Sequence, residues 1–186
     1  MTGLAPGARR FALPLLVATI PLAVLAPPLG AVTLALGGFV IWFFRDPERT
    51  PPPNGVVAPA DGRISVVRAE EGGLRVGVFM NVTDVHVLRA PMDGTVASVT
   101  HCPGAHRPAF TKDSDRNERV DVTFDDHGVS MIAGWFARRI YPYLTAGDGV
   151  ARGDRIGHIA FGSRADVLLP PGYDREDLLV TEGDRV

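Results

Sequence analysis

The pattern of apolar and polar positions divides the chain in two. Residues 11–44 hold no charged side chain, and from Arg45 onward charged and apolar residues alternate in short blocks. A membrane-spanning helix needs about 20 apolar residues, so this run is long for one span and short for two. Pro27, Pro28 and Gly30 interrupt it, and proline inside a helix removes a hydrogen bond. The run therefore predicts two short helices, 11–26 and 31–44, joined at 27–30. Arg9 and Arg10 precede it and Arg45 follows it. Flanking cations suit a spanning or re-entrant hairpin with both ends cytoplasmic. A secretory signal would have an apolar stretch of roughly 7–15 residues and a small-residue exit. This run instead ends in Val40-Ile41-Trp42-Phe43-Phe44, an aromatic interface anchor. Residues 1–44 are expected to form the membrane anchor.

Residues 45–55 (RDPERTPPPNG) read as a rigid, extended linker, because consecutive prolines favour polyproline II. Short runs bounded by Gly, Pro and Asp follow. They predict strands at 56–58, 63–68, 74–81, 94–100, 119–125, 129–136, 155–160 and 165–169. Alternation is plain in Arg63-Ile64-Ser65-Val66 and Asp121-Val122-Thr123-Phe124. No long, well-capped helical repeat appears after residue 50. The expected fold is mainly β: a compact barrel-sandwich-like domain over 56–186 behind an N-terminal helical anchor.

Composition narrows the function classes. The formal net charge of -2 argues against a nucleic-acid binder driven by bulk charge. Cys102 is the single cysteine, which forbids an internal disulfide and a Cys-rich zinc site. Lys112 is the single lysine, so a lysine Schiff-base mechanism would have to use it. Hairpin turns such as Asp93-Gly94 and Asp148-Gly149 resemble lipoyl-type carrier domains, but Lys112 lacks the hairpin setting of a modified lysine.

Three places could carry chemistry. Asp84-Val85-His86 puts a carboxylate and an imidazole on one face of an extended segment, where the carboxylate could orient the ring. His101-Cys102-Pro103-Gly104-Ala105-His106 has too few ligands for zinc, and no metal is expected. Gly162-Ser163 follows the strand 155–160 and reads either as a plain turn or as a reactive pair. In the second reading, glycine permits a strained backbone. The serine hydroxyl attacks the preceding carbonyl, the amide becomes an ester, elimination cleaves the chain, and what finally remains is a new N-terminal pyruvoyl group. Such a ketone forms a Schiff base with a substrate amine and acts as an electron sink.

Six ordered blocks carry a family resemblance: F-F-R-D-P-E-R (43–49), A-P-A-D-G-R (58–63), V-G-V-F-M-N-V-T-D-V-H-V-L-R-A-P-M-D-G (76–94), N-E-R (117–119), I-A-G-W-F-A-R-R-I (132–140) and R-G-D-R-I-G-H-I-A-F-G-S-R-A-D-V-L-L-P (152–170). With the apolar N-terminus, the chain closely resembles the short, bacterial and archaeal type of phosphatidylserine decarboxylase proenzyme.

That resemblance implies cleavage between Gly162 and Ser163. A membrane-associated β chain (1–162) and a small α chain (163–186) would form a heterodimer. The covalently bound pyruvoyl group made from Ser163 would replace pyridoxal phosphate and any metal. The substrate would be phosphatidylserine in the cell membrane, converted to phosphatidylethanolamine and carbon dioxide in phospholipid biosynthesis. The decarboxylase domain would face the cytoplasm, with no nucleic-acid partner. His86 and Asp61 are expected to assist Ser163, with His86 handling the proton after decarboxylation. Asp61 also has a plain reading as a turn residue before Gly62. Longer relatives have a second histidine where this chain has Arg89, so His86 does both jobs or another group, such as His158, takes part in cleavage. Arg164 and Arg89 are candidate substrate-binding cations. Two other functions stay open: the same chemistry on another serine-headed lipid, and a non-enzymatic, membrane-tethered module.

Overall fold

The computed structural model describes residues 3–105, 116–135, 139–161 and 163–186. Contacts along the chain cluster into two compact units, Met1–Glu48 and Arg49–Val186.

The first unit is a helical hairpin. It contains β1 (Gly3–Leu4), α1 (Ala8–Leu25), α2 (Pro27–Phe43) and β2 (Arg45–Asp46). The expected break at 27–30 shrinks to Ala26 alone. Pro27 and Pro28 instead open α2, where a missing N–H costs no intrahelical bond and the fixed φ suits a first turn. The helices run antiparallel and touch through small residues. A Cβ on Gly30 would sit 2.6 Å from Ala23 Cα, and one on Gly37 2.7 Å from Leu16 Cδ2. The Thr19 and Thr33 hydroxyls lie 3.1 Å apart, and Phe11 stacks on Phe44 at 5.5 Å. β1 pairs with β2 and closes the open end. Leu13, Val17, Ile20 and Val24 on α1 and Val32, Leu36 and Phe39 on α2 are exposed. A helix apolar on its outward face needs an apolar surround. Among the described residues, α1 is long and apolar enough to cross a membrane, and α2 is shorter.

The second unit is a β structure whose named strands pair antiparallel. Its strands are β3 (Arg63–Glu70), β4 (Gly73–Met80), β5 (Val87–Arg89), β6 (Gly94–Cys102), β7 (Arg119–Phe124), β8 (Gly128–Ala133), β9 (Ile140–Pro142), β10 (Gly149–Val150), β11 (Arg155–Ile159) and β12 (Ser163–Leu169). The larger sheet has the order β10-β6-β7-β8-β12-β4-β3, and a smaller one β5-β11-β9. Leu88, Ile156 and Ile159 of the smaller sheet join Val76, Val78, Val120, Val122, Val129 and Val167 of the larger in one core. The mainly-β expectation holds. The expected strand at 56–58 is absent; Val57 N–H instead bonds to Pro91 O. The prolines of the expected linker are held rather than free, because Arg152 donates to the carbonyls of Pro52, Pro53 and Gly55.

β12 sits between β4 and β8 and alternates strictly. Ala165, Val167 and Leu169 face the core. Arg164 and Asp166 take the opposite face. That face is polar but covered: Arg164 and Asp166 are 2% and 1% exposed. Arg164 Nε and Nη2 donate to the two Asp166 oxygens at 2.7 and 2.8 Å. Arg75 Nη1 stands 3.6 Å from the same carboxylate.

Leaving a buried charge without its partner costs about 3–5 kcal/mol. We expect Asp166→Ala to lower the melting temperature of the full chain in detergent by several degrees. Replacing the pair together, Arg164→Met with Asp166→Leu, should recover most of that loss.

Candidate active site

The register puts Ser163 at the first position of β12, opposite Met80 of β4 and Ala133 of β8. Its side chain points to the core side, and the residue is 0% exposed. Among the described residues the Ser163 hydroxyl has one partner, the Met80 thioether at 3.8 Å. Sulfur is a weak acceptor, so this buried O–H is poorly satisfied. Two residues earlier, Phe161 has φ 65°, the one non-glycine with positive φ among the described residues. A bulky side chain in the left-handed region stores backbone strain, a known companion of reactive sites. Gly162, the partner expected at the cleavage site, lies outside the described residues, as does Lys112.

His86 is buried. β5 pairs with β11, and the Ile159 N–H donates to the His86 carbonyl at 3.2 Å. This ties the histidine to the strand that leads into Ser163. The Asp84 backbone carbonyl lies 3.0 Å from His86 Nδ1. A carbonyl only accepts, so Nδ1 carries the proton and Nε2 is the basic nitrogen of the neutral ring. The orienting group is therefore the Asp84 main chain. The Asp84 carboxylate is engaged elsewhere: Oδ2 accepts from Asn81 N–H at 2.8 Å, and Oδ1 from Arg185 at 2.9 Å. Sequence reasoning missed Arg185, which lies 101 residues from Asp84 and has no local pattern to betray it.

Asn117 was also missed as an individual residue, although it stands in the N-E-R block. It is buried, and its Nδ2 donates to the Ala133 carbonyl at 2.7 Å. With the Ala133 N–H bonded to Glu118 O, this pins the end of β8 beside Ser163.

The remaining candidates spread out. Asp61 forms an ion pair with Arg49 at 2.5 Å, and among the described residues it makes no hydrogen bond to His86 or Ser163. Its loop is held next to β5, because Pro59 O accepts from Arg89 N–H. At Gly62, with φ 153°, a Cβ would collide with the Phe79 carbonyl oxygen, so only glycine fits this turn. Arg89 Nη1 donates to Gly153 O at 2.8 Å. Arg164 lies on the sheet face opposite Ser163, bound to Asp166. A cavity of about 550 Å³ also lies on that opposite face, lined by Arg75, Asp121, Ser130 and Asp166. No three His, Cys, Asp or Glu side chains among the described residues gather to hold a metal ion.

His158 is buried on β11. Its ring stacks on Tyr141 at 4.5 Å, and Nδ1 lies 2.7 Å from the Tyr143 hydroxyl. Burial lowers its pKa from 6.5 to about 4, which makes it a weak base at neutral pH. As pH falls from 6.5 toward 4, the unfolded chain takes up this proton before the folded one does. Stability tied to His158 is thus intact above pH 6.5 and lost on approaching 4. We expect His158→Phe to show a shallower fall in melting temperature than the parent across that window.

The whole of this β structure falls within a known family. The family model for phosphatidylserine decarboxylase matches residues 36–186. A protein of Halobacterium salinarum, provisionally named archaetidylserine decarboxylase proenzyme, is 54% identical over 97% of this chain and 93% of its own length. A phosphatidylserine decarboxylase proenzyme of Streptomyces griseus is 50% identical over 76% of this chain and 68% of its own. A protein of Methanococcoides burtonii, provisionally named like the first, is 47% identical over 83% of this chain and 74% of its own. These matches set aside the non-enzymatic tethered module. The chain belongs to the phosphatidylserine decarboxylase family and is an enzyme of the carboxy-lyase class.

Proposed function

We propose that the chain cuts itself between Gly162 and Ser163 and then decarboxylates a serine-headed phospholipid, phosphatidylserine, to phosphatidylethanolamine and carbon dioxide. The observation that carries this reading is the Ser163 hydroxyl: buried, weakly partnered, and placed two residues after the left-handed Phe161.

The Ser163 hydroxyl attacks the Gly162 carbonyl, and loss of the hydroxyl proton needs a nearby base. His86 suits that role, because its Nδ1–H is held by Asp84 O and leaves Nε2 as the basic nitrogen. His158 suits it less, since burial holds it near pKa 4. Elimination from the resulting ester separates residues 1–162, which end in a carboxylate, from residues 163–186, which begin with a dehydroalanine; that residue takes up water and loses ammonia to become the pyruvoyl group. The residues present fit a pyruvoyl group at Ser163, since that group is no larger than the serine it replaces and its strand neighbours Met80 and Ala133 carry nothing that reacts with a ketone. When formed, that group supplies a carbonyl for the substrate amine and a sink for the electrons left by carbon dioxide. The buried setting limits the access of bulk water to the reacting carbon, and His86 Nε2 returns a proton to it. Asp61 acts as a positioning residue, through the loop that Arg49 and Arg89 hold. Arg89, anchored on Gly153, positions the same loop. We assign no substrate contact to Arg164, whose guanidinium is bound to Asp166.

The two fragments stay together for a physical reason. Residues 163–169 pair with β4 along their length and with β8 from Ser163 to Leu168. The tail adds Val186 N–H to Gly62 O and Gly62 N–H to Val186 O. The helical hairpin would anchor the β chain in the cell membrane, with Arg9, Arg10 and Arg45 keeping the decarboxylase domain cytoplasmic. A second substrate, archaetidylserine, is favoured by the 54% identity to the Halobacterium salinarum relative. Both lipids carry the same serine head.

We expect Ser163→Ala to remain a single chain and to release no carbon dioxide from vesicles of either lipid. His86→Gln should slow self-cleavage by about 10²–10⁴-fold, the usual worth of a positioned base. Borohydride added with phosphatidylserine should trap the lipid on the small chain, and trapping on Lys112 would contradict the proposal.

A further inference from the structure

Ser163 is fully buried, yet a lipid head group has to reach it, so the surface around that end of β12 matters. β4 and β8 flank β12 on either side and both run toward Ser163, ending at Met80 and Ala133. Strands two apart in a sheet lie roughly 9–10 Å from one another. Two residues beyond each strand end stands an exposed apolar side chain: Val82 at 44% and Trp135 at 63%. A third exposed residue comes from just before the smaller sheet. Arg139 precedes β9, and its carbonyl accepts from Ala160 N–H, three residues before Ser163.

Single exposed apolar residues are ordinary. These two are not scattered. By register they follow the two strands that flank Ser163, and the backbone of the cation Arg139 is tied to Ala160, three residues before the serine. Tryptophan and arginine prefer the head-group layer of a bilayer, where an amphipathic ring and a phosphate partner are both satisfied. We propose that Val82, Trp135 and Arg139 form a rim that docks the β domain onto an anionic lipid surface at the mouth of the Ser163 site. This rests on the reading that the substrate is a membrane lipid. The chain supplies its own tether to such a surface in the apolar α1.

The chain has two tryptophans, so Trp42→Phe leaves Trp135 as the single reporter in the full-length protein. The test compares that chain held in an amphipathic polymer without lipid and reconstituted in phosphatidylcholine vesicles containing phosphatidylserine. We expect Trp135 emission to shift to the blue in vesicles and to be quenched by lipids labelled near the head group. The same result is expected with Ser163→Ala added, so failure of the decarboxylase reading would leave this readout in place. Emission that stays water-like, with acrylamide quenching unchanged by vesicles, would overturn the rim. Protection that rises with protein concentration in polymer alone would overturn it in favour of a contact between two copies. In kinetics, Trp135→Ser should raise KM for vesicle-borne phosphatidylserine roughly tenfold, the worth of one lost aromatic burial. Its rate of self-cleavage and its turnover of a soluble short-chain phosphatidylserine should not change. Trp135→Phe should restore most of the vesicle KM. Equal losses on both substrates would contradict docking.

Discussion

Everything at the Ser163 end of the larger sheet depends on β12 being hydrogen-bonded on both sides. A strand between two antiparallel neighbours has its register fixed twice, and a slip by one residue would exchange its faces. In β12 that slip would drive Arg164 and Asp166 into the apolar core and turn Ser163 away from it. The buried Arg164–Asp166 pair on one face and Ala165, Val167 and Leu169 on the other both resist it. The serine is thus held at the core-side edge of the sheet, against Met80. The same pairing would let the small chain remain in place once the backbone before it is cut, since only one end of the strand would be freed.

The histidines show how similar side chains acquire different chemistry. His86 immediately precedes β5, His158 lies on the neighbouring β11, and both residues are buried. His86 gives its Nδ1 proton to a main-chain carbonyl, which fixes its tautomer. His158 lies between two tyrosines, and desolvation lowers its affinity for a proton. Spacing from Ser163 alone would favour His158. The environment favours His86.

Much of the fold was legible in the sequence, and for identifiable reasons. The charge-free run at 11–44 marks the hairpin because no buried or exposed soluble helix needs so many uncharged positions. The long strands β3, β4, β6, β7 and β8 announce themselves by alternation and by flanking Gly and Asp turns. β5, β9 and β10 did not, because two or three residues carry no period and their pairing is decided by the larger fold. Ser163 and His86 stand out in the sequence through motifs, as candidates. The partners that fix them, Met80, Asn117 and Arg185, are distant in sequence, and only the folded register brings them near. Asp84 was legible as a residue but not in its part, since its carbonyl rather than its carboxylate holds the ring. The face of Arg164 followed from period-two alternation, yet its proximity to Ser163 in sequence suggested a substrate contact that the strand geometry turns away.

Intact-mass measurement of the purified full-length protein bears most directly on the central claim, that Ser163 becomes the head of a separate small chain. We expect two species, residues 1–162 and 163–186, the smaller lighter by one ammonia than the same peptide with an intact serine amine. A single uncut chain in a preparation that releases carbon dioxide, or a small chain that still begins with serine, would contradict it.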